Sequence, residues 1–150
     1  MKVTVTSQFK LPARKTWELI QRSDTLEFVT RGLIGFHPLT GKFPTTWQAG
    51  VTEQVRILLF GFIPAWKHQI SFIKTDSENM QLKTEEAGGA ISRWDHLMTV
   101  KATSETSSSY CDSIEIEAGS LTLLIWLYAQ GFYRYRHWRW KALEKRQLVS

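Results

Sequence analysis

Residues 119–145 read GSLTLLIWLYAQGFYRYRHWRWKALEK, and the fold turns on how they are read. The pattern predicts one long helix over 120–150. Gly119 breaks what precedes it, and Ser120 stands as an N-cap whose hydroxyl accepts from a first-turn amide. At 3.6 residues per turn, Leu121, Leu124, Ile125, Tyr128, Phe132, Tyr135, Arg139, Ala142 and Leu143 share one side. That side is an apolar stripe with two phenols and one guanidinium set into it. A helix this long cannot bury such a stripe alone, so a broad apolar surface must face it. On the far side, Leu123, Trp126 and Leu127 form a second apolar patch, open to a homodimer or another surface contact.

The upstream chain supplies the facing surface. Residues 50–59 put Glu53, Val55, Ile57 and Leu59 on one face of a strand. After a turn at 61–64, Trp66, His68, Ile70 and Phe72 share a face of the next. Residues 80–86 form a short strand and Gly88–Gly89 a turn; residues 90–102 bring Trp94, His96, Met98 and Val100 together. A polar turn at 104–108 reverses the chain into 109–118, with Tyr110, Asp112, Ile114 and Ile116 on one face. At the start, residues 2–10 alternate through Val3, Val5 and Phe9. Pro12 then opens a short helix over 13–22, and Ser23 and Asp24 open another to about Thr30. A loop containing Gly32, Gly35, Pro38, Gly41 and Pro44 follows, long enough to line the mouth of a cavity.

The order is therefore strand, two short helices, about five meandering strands and one long helix. It specifies an α+β chain: a curved antiparallel sheet of about six strands wrapped around a long C-terminal helix. No repeat, low-complexity tract or linker divides it, so residues 1–150 form a single domain.

This order resembles the helix-grip superfamily of START lipid-transfer domains, birch-pollen-allergen-like proteins and aromatase/cyclases, abbreviated SRPBCC. The matching pieces are LPARKTWELI (11–20), AGVTEQVRILLFGFIPAWKHQI (49–70), RWDH (93–96) and CDSIEIEAGSL (111–121). Within the superfamily the chain looks most like bacterial ligand-binding SRPBCC proteins of unassigned activity. In that group a Pro–aromatic step is followed by a W-x-H strand and an Asp-containing strand; Trp66, Trp94, His96 and Asp112 occupy those places. Gly119 lacks the usual preceding proline, and the helix end is unusually rich in Arg and Trp. The resemblance implies a helix-grip fold holding a small hydrophobic molecule, with a polyketide-cyclase-like or dehydratase-like activity as the alternative.

Composition narrows the class. Hydrophobic residues make up 43% and charged residues 22% of the 150, as in an ordinary soluble globular protein. Aromatics reach 13%, with seven tryptophans, a density that suits a filled core or a ligand cavity. The lone Cys111 excludes an internal disulfide. With an N-terminus, MKVTVTSQF, that lacks the apolar core of a signal peptide, it points to a cytoplasmic protein. The net charge of +5 gathers between Arg134 and Arg146. YRYRHWRWK (133–141) mixes guanidinium with aromatics, as nucleic-acid or anionic membrane surfaces require, yet a solvated helix end explains it better. Nucleic acid is disfavoured as a partner, and no apolar run is long enough to span a membrane.

The chemistry lies on the face that the sheet turns toward the helix. The strand registers direct Glu53, Trp66, His68, Trp94, His96, Tyr110 and Asp112 there, opposite Tyr128, Phe132 and Tyr135. A mainly apolar wall with a few polar groups is what a small-molecule pocket needs. Such groups can also simply satisfy one another in a core. If the last turn of the sheet centres near Ser104, His96 lies directly opposite Asp112, and a one-residue slip would part their faces. The pair could orient a ligand, or act as a general acid–base dyad. A metal held by His68, His96, Asp112 and Glu53 is the weakest reading, because no close ligand spacing exists. Nothing calls for a cofactor: there is no Gly-rich phosphate loop and no nucleophile elbow. Arg139, in mid-stripe, has three outcomes: it snorkels past the sheet, pairs with Asp112 or Glu53, or meets an anionic headgroup.

Overall fold

The computed structural model describes residues 1–149. The chain runs β1 (Lys2–Phe9), α1 (Ala13–Ile20), α2 (Ser23–Thr30), β2 (Ile34–Pro38), β3 (Thr52–Leu59), β4 (Ile63–Asp76), β5 (Gln81–Gly88), β6 (Ile91–Ala102), β7 (Ser108–Glu117), a 3-10 turn (Gly119–Leu121) and α3 (Thr122–Val149). The strands form one antiparallel sheet in the order β1-β7-β6-β5-β4-β3-β2. This is the helix-grip arrangement, with seven strands rather than about six. The added strand is β2, which pairs with β3 so that Ile34 lies opposite Leu59. Gly35 and Pro38 make it read as loop, but an edge strand tolerates both, since only one side of its backbone must enter the ladder.

Because β1 and β2 hold opposite edges, the chain must cross the whole sheet between them. It does so through α1, which packs on β6 and β7, and α2, which packs on β2 and α3. Register shifts at Arg56/Leu58, Phe72/Lys74 and Glu86/Gly88 fall on three successive strand pairs. Each bulge bends its strand and adds twist, and together they curl the sheet around α3. Strict alternation along β7 turns Ser108, Tyr110, Asp112, Ile114 and Ile116 inward. Phe9, Tyr110 and Trp140 stack there with ring centroids 5.1–6.0 Å apart. Each such buried aromatic contributes on the order of 1.5–3 kcal/mol.

The helix is rotated from its expected setting. The buried residues of α3 are Ala129, Phe132, Tyr133, Arg136, His137, Trp140, Leu143 and Glu144. Of the expected stripe, Leu121, Leu124 and Tyr128 are exposed, Leu124 to 65%. Large apolar residues occur all around this helix, so hydropathy alone does not choose a face. The sheet chooses it: His137 bonds Asp112, Trp140 stacks on Phe9 and Tyr110, and Glu144 accepts from the Lys10 amide.

Two end details also differ from expectation. Ser120 lies in the 3-10 turn, and the helix start is tied by Thr122, whose Oγ1 accepts from the Ala118 amide at 2.9 Å. Arg139 takes none of its three expected outcomes. Its Nε and Nη2 donate to the Phe28 carbonyl at 3.2 and 3.1 Å, and its guanidinium sits 4.3 Å over the Phe28 ring. It therefore ties α2 to α3. On the far side of the helix, Leu123 and Leu127 are exposed, but Trp126 is half-buried and its indole donates to the Lys2 carbonyl at 2.7 Å. Among the described residues no helix is long and apolar enough to cross a membrane.

Candidate functional site

A cavity of about 380 Å³ lies between the inner face of the sheet and α2 and α3. Strands β2 to β7 and all three helices contribute to its wall. Ile34, Ile57, Ile70, Phe72, Met98 and Phe132 give it an apolar lining. Of the residues expected at the site, Trp66, His68, Trp94, His96, Tyr110, Tyr128 and Phe132 line it. Three do not. Asp112 is fully buried behind the wall. Glu53 lies half-buried on β3 outside the lining. Tyr135 instead donates its hydroxyl to the Arg31 carbonyl. The chain turns there at Gly32, with φ +97° and a hypothetical Cβ 2.9 Å from the Tyr135 hydroxyl. Tyr135 thus fixes the α2–β2 turn against α3.

Asp112 is the hub of the first polar cluster. Its Oδ1 lies 2.5 Å from His96 Nε2 and accepts from the Tyr110 hydroxyl at 2.7 Å; its Oδ2 lies 2.9 Å from His137 Nε2. His137 Nδ1 lies 2.7 Å from Ser7 Oγ. One tautomer satisfies all of this: each histidine donates from Nε2, and Ser7 donates to His137 Nδ1. Burial pushes the Asp112 carboxyl upward. The nearby Arg136 charge and the two histidines outweigh that and hold it well below the usual carboxylate range. Burial, with Asp112 beside it, pushes the Tyr110 phenol well above its ordinary value. The cluster is an ionised carboxylate ringed by donors.

The expected direct opposition of His96 and Asp112 is corrected by the register. The β6–β7 turn centres one residue later than expected, pairing His96 with Ile114 and Met98 with Asp112. Moving the centre by one shifts every partner by two, which preserves the faces. His96 reaches Asp112 diagonally.

The second cluster joins β4 and β5. His68 Nε2 lies 3.0 Å from Glu86 Oε2, and Thr84 donates to Glu86 Oε1 at 2.8 Å. The Trp66 indole reaches His68 Nδ1 at a long 3.4 Å. Burial raises the Glu86 carboxyl, but the hydrogen bond and charge of His68 outweigh it, leaving the group below its ordinary value. Gly88 makes this geometry possible, since a Cβ there would lie 2.5 Å from the Lys67 carbonyl and 2.7 Å from His68 Nδ1. Glu86 shares the inward parity of Leu82 and Thr84, and the bulge at Glu86/Gly88 begins only after it, so alternation along residues 80–86 is the signal that could have found it. His68 and His96 serve separate carboxylates. Among the described residues, no group of three or more His, Cys, Asp or Glu side chains is placed to hold a metal.

The third element is Arg136 on α3, which sequence reasoning also misses. It is 6% exposed and lines the cavity. Its guanidinium carbon lies 5.0 Å from the Tyr133 ring centroid and 6.0 Å from that of Phe132. Those contacts follow from i−3 and i−4 spacing on the helix. Tyr133, 1% exposed, accepts from the Trp94 indole at 3.1 Å. A signal for Arg136 exists: positions 129, 132, 133, 136, 140 and 143 also have helical spacing, but a central arginine argues against a buried face.

No family profile matches the sequence, and no curated protein matches it. Solved structures do match. Norcoclaurine synthase from Thalictrum flavum, solved with dopamine and hydroxybenzaldehyde, aligns over 99% of this chain and 87% of its own at 14% identity, TM-score 0.70. A START superfamily protein from Mycobacterium smegmatis aligns over 99% of both chains at 11% identity, TM-score 0.65. Major latex-like protein 151 from Panax ginseng aligns over 96% of this chain and 97% of its own at 15% identity, TM-score 0.67. At these identities the likeness is one of fold, and it extends across essentially the whole chain.

Proposed function

We propose that the chain binds a small, mainly apolar molecule in the cavity between the sheet and α3. The observation that carries this reading is the wall itself: apolar and aromatic side chains from five strands and the three helices, interrupted by a few buried polar groups. Burial of a ligand's apolar surface supplies affinity, and fixed polar groups orient it. The fold neighbours include proteins named as a START protein and a synthase, which supports a ligand cavity without specifying its contents. The test is binding of the neutral fluorophore N-phenyl-1-naphthylamine, with Met98→Trp as a variant that fills the cavity from its floor. Saturable binding that is lost in the variant is the expected result. Equal binding to both proteins would place the probe elsewhere and defeat the proposal.

One observation favours a second, enzymatic reading of the cyclase or dehydratase kind. His96 lines the cavity, and with Nε2 engaged by Asp112 its Nδ1 has no hydrogen bond to any described residue. In this reading Nδ1 takes a proton from a bound substrate, while Asp112 holds the ring and stabilises the imidazolium. Native mass spectrometry in deuterated water checks it. A co-purifying molecule that exchanges a C–H position, but does not do so on the His96→Gln protein, supports catalysis; no exchange leaves binding alone.

A further inference from the structure

An arginine buried in a protein interior ordinarily spends its five N–H donors on acceptors. Arg136 spends none: it makes no hydrogen bond to any described residue, and its Nε is shut away from solvent without a partner. Asp112 is near enough for its charge to act on Arg136, but its hydrogen bonds come from His96, Tyr110 and His137, which engage both oxygens. Glu86 is likewise engaged by His68 and Thr84. The guanidinium is thus fixed by stacking on Tyr133 and Phe132, while its donor fork remains unclaimed on a residue that lines the cavity.

A second donor on the same helix face is also unsatisfied. Trp140, one turn beyond Arg136 and itself in the cavity wall, has its indole N–H buried without an acceptor. Leaving such groups buried and unpaired is destabilising, and more so for a charged one. Both deficits have the same sign, because each group lacks an acceptor.

We infer that the molecule in this cavity carries a carboxylate, which Arg136 receives as its anchor, so that the ligand is an amphipathic monoacid rather than a neutral hydrocarbon or alcohol. A planar guanidinium matches a carboxylate in a paired, two-bond geometry. The apolar wall receives the remainder of the ligand. A phosphate monoester fits less well, because its second negative charge would meet the ionised Asp112 and Glu86 around a single guanidinium. This inference rests on the cavity-binding proposal and specifies its ligand class.

The experiment compares decanoate, decanamide and decyl phosphate, titrated by displacement of N-phenyl-1-naphthylamine from wild type and from Arg136→Met. Wild type should prefer decanoate over decanamide by at least about tenfold, and over decyl phosphate by a smaller factor. Arg136→Met should still bind decanamide while losing the preference for the acid. Arg136→Lys, which keeps charge but not the fork, should recover part of it and serves if the Met variant does not fold. Equal wild-type affinity for acid and amide, or an acid preference that survives both substitutions, overturns the anchor while the cavity reading stands. Tighter binding of decyl phosphate than decanoate overturns the choice of a monoacid. Failure of wild type to bind the fluorophore or any of the three overturns both readings together.

Discussion

His96 reaches Asp112 across a diagonal of the β6–β7 ladder. The register places Ile114 opposite His96 and Met98 opposite Asp112, yet His96 Nε2 and Asp112 Oδ1 are 2.5 Å apart. Diagonal neighbours on one face of an antiparallel pair lie within reach of long side chains, so the contact tolerates a two-residue difference in register but not a one-residue slip. Its consequence is that Asp112 can accept from α3 as well, through His137. The hub therefore joins two strands and the gripped helix.

Asp112→Asn should cost about 3–5 kcal/mol, the usual consequence of removing one partner from a buried charged network. An amide cannot accept from three donors in the same geometry and must present an N–H to one of them. Urea denaturation of the two proteins at neutral pH measures this, and a difference below about 1 kcal/mol would show that the network is not stabilising.

Acid should weaken the fold through the same carboxylate. Asp112 titrates well below its ordinary 3.8 when folded, and Glu86 below its ordinary 4.5. The unfolded chain therefore takes up these protons first as pH falls. The stabilisation they give is complete above the ordinary carboxylate range and is lost on descending through it toward the folded values. Denaturation midpoints should be flat in this respect between pH 6 and 7 and fall below about pH 4.5. In Asp112→Asn the acid-dependent drop should shrink; an unchanged profile would assign it to other groups.

Phe132→Ala and Leu124→Ala should separate, although both belong to the stripe expected from the sequence. Phe132 is 8% exposed and borders the cavity, so its loss should cost about 3 kcal/mol, the low end for Phe→Ala because a void is already present. Leu124, exposed to 65%, should change stability by no more than about 0.5 kcal/mol. A large loss from Leu124→Ala would restore the expected helix setting and overturn the observed one.

Arg139→Met should cost about 1–2 kcal/mol, since the guanidinium donates twice to the Phe28 carbonyl and covers its ring. Affinity for decanoate should not change, in contrast to Arg136→Met three residues earlier. A matching loss of decanoate affinity would show that Arg139, and not only Arg136, meets the ligand.

Alternation with period two is local, so the inward faces of β3, β4, β6 and β7 are legible in the chain alone: His68, Trp94, His96, Tyr110 and Asp112 all lie where their strand parity puts them. The order of elements specifies the helix-grip fold for the same reason, since each element carries its own period and its own turns. The edge strand β2 is hidden by Gly35 and Pro38, whose effect depends on whether a second neighbour pairs there. Glu86 shares the parity of Leu82 and Thr84, but a carboxylate on a short strand reads as solvent-facing until the fold sets His68 beside it. Above all, the rotation of α3 lies beyond the sequence. Apolar and basic residues are distributed all around that helix, and its setting follows from partners more than a hundred residues away, Ser7 and Phe9 among them. A charged side chain such as Arg136 can lie inward only where an anion compensates it, and Asp112 does so only after the sheet has closed. Strand parity is written in the chain; the choice of helix face, and with it the uncommitted guanidinium, is decided by assembly.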